Sequence, residues 1–152
     1  MIKSMRKIPI PRIAFCVLFL FLPSALYAQT GNQGDPGPIR SSPAYAEVLL
    51  RKTEIQADLE ALLADYTEAN PKIIDLRFEL SALDKALERV FAVRPTETSK
   101  LTLALGKMIV RKAELETDLN RLQRTYNKDH QEVKRMQRRV DIYDSAIKEI
   151  LK

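Results

Sequence analysis

His130 is the one histidine in a chain of 152 residues, and Asp129 and Glu132 stand beside it. A zinc site needs three or four such ligands converging on one point. One imidazole with two near neighbours on the same backbone does not supply them, so His130 reads as a turn residue or a helix start. The single cysteine, Cys16, has no partner. No Ser/His/Asp set, no Gly-rich phosphate loop and no Cys/His cluster occurs. The expectation is a protein without catalytic residues, metal or cofactor. The residues left to act are charged. Lys134, Arg135, Arg138 and Arg139 form a basic run, with Arg121, Arg124 and Lys128 upstream. Residues 29–91 hold 11 acids and 7 bases, and residues 92–152 hold 9 acids and 14 bases. A basic surface of this kind suits an acidic glycan, lipid head groups or the acidic face of a protein. The competing reading is a solvated face that the acidic first half partly neutralises.

The N-terminus has a different composition. Residues 1–12 carry Lys3, Arg6, Lys7 and Arg12 and no acid, and IAFCVLFLFL follows over residues 13–22. Pro23, Ser24, Ala25 and Ala28 come next. This is the layout of a secretory signal peptide spanning 1–28, with an uncleaved membrane anchor as the alternative. Cleavage would remove four of the 25 bases and leave 21 against 20 acids. A near-neutral mature chain offers no argument for nucleic acid. It would also lose Cys16, so its stability would rest on packing without disulfides. The expected location is the periplasm, with secretion or N-terminal anchoring as alternatives. Residues 29–42 are rich in Gly and Pro and read as a flexible linker.

The elements that position these groups come from a duplication. Arg51 to Pro71 recurs sixty residues later as Arg111 to Gln131. Nine residues between Leu49 and Ala92 are identical at that offset: Arg51, Lys52, Glu54, Asp58, Leu59, Leu62, Tyr66, Asp84 and Ala86. From Tyr45 the apolar residues step through Val48, Ile55, Leu59, Leu62 and Tyr66 at heptad spacing, with Lys52 inside the seam. Its stem can be buried while the amine reaches water, and Lys112 repeats it. Ser42 and Pro43 form a helix start. Asn70 and Pro71 end one helix and open another, in which Ile73, Leu76, Leu80, Leu83, Leu87 and Val90 make a second seam. Two such arms with a short loop make an antiparallel hairpin. The second copy has no Pro at its turn. Asp129 with Glu132 resembles a capping box, yet the heptad phase also runs unbroken through Tyr126, Asp129 and Val133, which a continuous helix would satisfy. Gly106 weakens the third helix by about 1 kcal/mol relative to Ala. The expected fold is all-α: hairpin 1 at 43–91, a linker at 92–97 and hairpin 2 at 98–152, forming a four-helix bundle or an elongated coiled coil.

The copies differ where Leu63, Ile74 and Phe78 become Gln123, Lys134 and Arg138. Ile74 and Phe78 lie one turn apart and off the seam, so a lone hairpin would expose them, as a contact surface does. They are expected to meet the other hairpin or a second chain. Tyr66 and Tyr126 mark the hairpin ends. There they can contact a partner or close the core with the hydroxyl in water.

The run Leu62, Tyr66-Thr67, Asn70-Pro71, Ile73, Leu76 resembles the coiled-coil segment of bacterial polysaccharide co-polymerases, the chain-length determinant (Wzz/GumC-like) proteins. There the pattern reads L-x-x-x-Y-T-x-x-H-P-x-V-x-x-L. The second copy offers Leu122, Tyr126, Asn127, His130, Gln131, Val133 and Met136. Asn70 stands for the family's His in the first copy, and Asn127 and Gln131 for its Thr and Pro in the second. The resemblance covers the motif regions alone. It implies a periplasmic helical module working beside exopolysaccharide assembly or export. The expected function is therefore an exported, non-enzymatic scaffold or adaptor that associates with itself and with envelope proteins. The alternative is a periplasmic holdase similar to the Skp/OmpH type, although no strand-rich segment for the trimeric body of such proteins is evident.

Overall fold

Pro43 and Pro71 each stand at the first position of a long helix, where the missing proline N–H leaves no intrahelical bond unmade. The structure is a computed structural model that describes residues 37–152. The leader read at 1–28 and the start of the 29–42 spacer lie outside the described residues. Helix α1 is a single turn, Gly37–Arg40. The long helices are α2 (Pro43–Asp65), α3 (Pro71–Phe91), α4 (Leu103–Thr125) and α5 (Gln131–Leu151). A 3-10 segment, Pro95–Lys100, joins α3 to α4. The described residues contain no strand, and the fold is all-α.

Both hairpins follow from the same local chemistry. Ser42 caps α2 by accepting from the Tyr45 N–H at 3.3 Å, and Asn70 caps α3 by accepting from the Lys72 N–H at 2.8 Å. Tyr66 and Tyr126 close α2 and α4 in extended backbone, each donating its N–H to the carbonyl four residues back, Leu62 and Leu122. All four bounds of the second pair lie sixty residues beyond those of the first. The turn at 126–130 breaks the helix, so the continuous alternative does not apply. The cap there is His130, whose Nδ1 accepts from the Glu132 N–H at 3.3 Å. Asp129, expected as the capping residue, pairs with Lys134 at 3.1 Å instead. His130 is the positional twin of Asn70, so the duplicated geometry decides which side chain caps.

Two expected boundaries shift. Residues 37–42 of the anticipated flexible spacer are folded, because Ile39 is an apolar anchor and is buried in the core together with the Ser42 cap. The third helix starts at Leu103, capped by Thr102, and not near Thr98. Residues 95–100 wind as a 3-10 turn that lets Leu101 bury almost completely. The Leu101 carbonyl then accepts from the Ala44 N–H at 3.2 Å, tying the foot of α2 to the foot of α4.

The four long helices do not close into a symmetric ring. Helix α4 is the hub: it packs on α2, α3 and α5, while α5 makes its broad contact with α4 alone. The main core runs from Ile39 and Val48 through Ile55, Leu83 and Ile109 to Ile147. A smaller, separate cluster of Leu115, Leu119, Val133 and Val140 holds the distal half of hairpin 2.

Candidate interaction surfaces

Each seam lysine reaches a carboxylate on the facing helix. Lys52 hydrogen-bonds Asp84 across hairpin 1, and Lys112 lies 3.4 Å from Asp144 across hairpin 2. Arg51–Glu54 at 3.2 Å is likewise repeated as Arg111–Glu114 at 2.6 Å. Four of the nine identical positions, Arg51, Lys52, Glu54 and Asp84, therefore persist as ion pairs: Arg51–Glu54 along one helix, and Lys52–Asp84 across the hairpin, where it fixes the register of the two arms.

Other charges join one hairpin to the other. Asp75 and Glu79 lie one turn apart on α3, and both are buried. Asp75 accepts from Arg121 at 2.8 Å and also from Arg124, both on α4. Burial alone would raise the Asp75 pKa, but the bonds from Arg124 and Arg121 outweigh it and hold the carboxyl below its ordinary value. Asp75 is thus the acid that crosses to hairpin 2, whereas Glu79 accepts from Arg51 of α2 at 2.7 Å, a bond within hairpin 1. Composition did not reveal these buried acids. Their signal is a sign reversal at the sixty-residue offset, where Asp75 and Glu79 become Arg135 and Arg139. Arg121 and Arg124 are thereby removed from the free basic surface that the charge pattern predicted.

Asp144 of α5 ties three helices. It meets Lys148 at 2.6 Å, Arg89 of α3 at 3.1 Å and Lys112 of α4 at 3.4 Å. The Lys148 bond, opposed by burial and aided by Arg89 and Lys112, holds its carboxyl down to about 2. A carboxylate with a depressed folded-state pKa adds stability above its ordinary value and loses it as pH falls through the folded value. The Asp144 contribution should therefore disappear between pH 3.8 and about 2. Glu97, held at about 2 by Arg94 and Lys100, titrates over an overlapping window that opens at 4.5. Comparison with Asp144→Asn isolates the effect: thermal melts of the variant should fall less steeply over that interval than those of the parent. Parallel curves would exclude the link.

The anticipated contact residues occupy distinct places. Ile74 is 41 % exposed near the tip of hairpin 1, as is Leu63 at 40 %. Phe78 is half-buried and borders a cleft of about 150 Å³ where α3, α4 and α5 meet over Ile109 and Ala113. The expected pair thus divides, with Phe78 at the junction with hairpin 2 and Ile74 facing solvent. Tyr66 and Tyr126 are 54 % and 43 % exposed at the two tips. Tyr126 stacks on His130 with ring centroids 4.2 Å apart, while Asn70 leaves Tyr66 without a matching ring. Pro71 is exposed at the α3 start.

The basic run of α5 also divides. Lys134 and Arg138 line a shallow groove with Gln123, Lys128, Val133 and Gln137, between α5 and the end of α4. Shifted back by sixty residues, this lining becomes Leu63, Glu68, Ile73, Ile74, Arg77 and Phe78. One flank is thus apolar on hairpin 1 and cationic on hairpin 2. Arg135 and Arg139 lie on a different face of α5, at the positions that Asp75 and Glu79 hold on α3. Arg135, Arg138 and Arg139 are exposed, and their side chains make no hydrogen bond or ion pair with any described residue.

Among the described residues no group of three or more His, Cys, Asp or Glu could hold a metal ion. No helix among them is long and apolar enough to cross a membrane. No family model, curated protein or solved structure matches this chain.

Proposed function

We propose that the protein is an exported, non-enzymatic helical scaffold of the cell envelope that engages acidic polysaccharide through the cationic flank of hairpin 2. The observation that carries this reading is the flank asymmetry. Two hairpins with the same backbone present Leu63, Ile74 and Phe78 on one copy and Gln123, Lys134 and Arg138 on the other. A fold maintained for packing alone has no need of an exposed arginine beside two lysines and two amides. That set suits a ligand bearing carboxylates and hydroxyls, with arginine able to grip a carboxylate bidentately. The leader-like N-terminus and the resemblance of the turn motif to polysaccharide co-polymerases support an envelope setting. Self-association and contacts with envelope proteins complete the role of a scaffold.

The test is retention of the protein on an immobilised acidic polysaccharide. Binding should weaken as salt screens the charges. It should be lost in the double variant Lys134→Glu with Arg138→Glu, whose exposed side chains leave the helical signal unchanged. Retention of the double variant at the parent level would overturn the glycan reading.

A further inference from the structure

The duplication leaves one face of each hairpin without the counterpart that its twin has. On the face of α4 turned to hairpin 1, Gly106, Ile109, Ala113 and Thr117 are buried although none belongs to the α4–α5 seam. Their twins on α2 are Ala46, Leu49, Thr53 and Ala57, and all four are exposed. Leu49 is 44 % exposed and the adjacent Leu50 is 58 % exposed. The surface that hairpin 2 uses to seat on hairpin 1 is therefore reproduced on hairpin 1 and left uncovered.

The complementary face recurs in position, with its charge reversed. Hairpin 1 receives α4 partly through the α3 face that carries Asp75 and Glu79. On hairpin 2 the same face of α5 carries Arg135 and Arg139 together with Ile142, which at 67 % is the most exposed large apolar side chain described. One end of the two-hairpin stack thus presents leucines on α2, and the other presents an isoleucine flanked by arginines on α5.

We propose that copies of this chain associate head to tail, the exposed α2 face of one seating on the α5 face of the next and repeating the contact between the two hairpins. This inference rests on the reading of the protein as a scaffold and specifies its self-association. The charges select this pairing. In the internal contact, Arg121 and Arg124 of the incoming helix meet Asp75. At the free α5 face the acid is replaced by Arg135, so a second α4-like surface would be repelled. Helix α2 carries Ala61 and Ala64 in place of those two arginines, and exposed Glu60 in place of Asn120. The reversal on one partner is thus matched by loss of cations and gain of an anion on the other, which is how like-with-like docking is excluded. Ala46, where α4 has Gly106, sets the two helices slightly further apart at that end. Because the two faces differ, the contact is heterologous and does not terminate at a dimer unless a ring closes.

Sedimentation of the protein as recovered from cells, over a range of concentrations, tests this. The expected result is a mass that climbs past twice that of one chain. Leu50→Arg and Ile142→Asp each block one face at an exposed position, so each should melt with the parent and sediment as a single chain. Mixed in equal amounts they should form a discrete two-chain complex, since each retains the face the other has lost. A parent that stays a single chain at every concentration, a mass unaffected by either substitution, or a mixture that stays dissociated would overturn the proposal. The glycan assay is independent of it. A single-chain protein still retained through Lys134 and Arg138 would sink the stacking alone, and a stacking protein without retention would sink the glycan reading alone.

Discussion

Leu115→Ala should destabilise the protein by about 2–5 kcal/mol, the range for truncating a fully buried leucine. Leu115 has no exposed surface and anchors the small cluster with Leu119, Val133 and Val140. Its twin in hairpin 1 is Ile55, equally buried, but Ile55 belongs to the main core shared by both hairpins. The consequences should therefore differ in extent more than in size. Loss of Ile55 loosens a core to which all four long helices contribute. Loss of Leu115 leaves the distal halves of α4 and α5 joined by few apolar contacts. Hydrogen exchange should show protection falling over residues 115–140 in Leu115→Ala, with α2 and α3 little changed, because regions with few buried contacts open separately from the rest. A uniform fall across both hairpins, or a cost below about 1 kcal/mol, would show that the two clusters act as one core.

Much of this architecture is legible in the chain because heptad spacing and capping residues are local. Ser42-Pro43 and Asn70-Pro71 place two helix starts through geometry that involves only neighbouring atoms. The second turn is harder. Without proline at 131, the apolar phase through Tyr126 and Val133 is satisfied by a rod or by a hairpin. Sequence spacing points to Asp129, but the helix is capped by His130, the twin of Asn70. Following the duplication would have identified it where a generic capping pattern did not. The hub position of α4 is not legible at all, because the order of helices along the chain does not say which lies in the middle. The buried acids were missed for a related reason. Asp75 and Glu79 lie off the seam, and an off-seam acid looks solvated until a second hairpin covers it. The trace they leave is correlated: Asp75 becomes Arg135 where Ala61 and Ala64 become Arg121 and Arg124. The candidate surfaces stood out as a charge imbalance and an apolar pair. Their division between a groove lined by Lys134 and Arg138 and a separate exposed face with Arg135 and Arg139 needed the helix rotations.

Gly106→Ala tests the close approach of α2 and α4 through a sign that helix propensity alone would get wrong. In an exposed helix, replacing glycine with alanine stabilises by about 1 kcal/mol, since glycine loses more backbone freedom on folding. On that basis Gly106 reads as a weak point. The structure places it where α4 crosses the first turn of α2. A β-carbon there would stand 2.8 Å from Glu47 Cβ and 3.0 Å from both the Cα and the carbonyl oxygen of Ala44. Two of those three atoms are backbone. They are held by Ser42, which caps α2, and by the Ala44 N–H bond to the Leu101 carbonyl. The neighbours cannot rotate aside as a long side chain would, so relief requires the two helices to separate. Separation strains that backbone bond and opens the core around Val48 and Leu105, both fully buried. Overpacking of this kind costs about 1–3 kcal/mol, enough to reverse the propensity gain. Gly106→Ala should therefore lower the denaturation midpoint, while Ala46→Gly, at the exposed twin on α2, should also lower it but through lost helix propensity alone. The diagnostic comparison is Gly106→Ala against Gly106→Ser. If packing decides, serine destabilises further because it adds an atom to the same crowded space. If propensity decides, alanine raises the midpoint above the parent, and the helices have room that the present geometry denies.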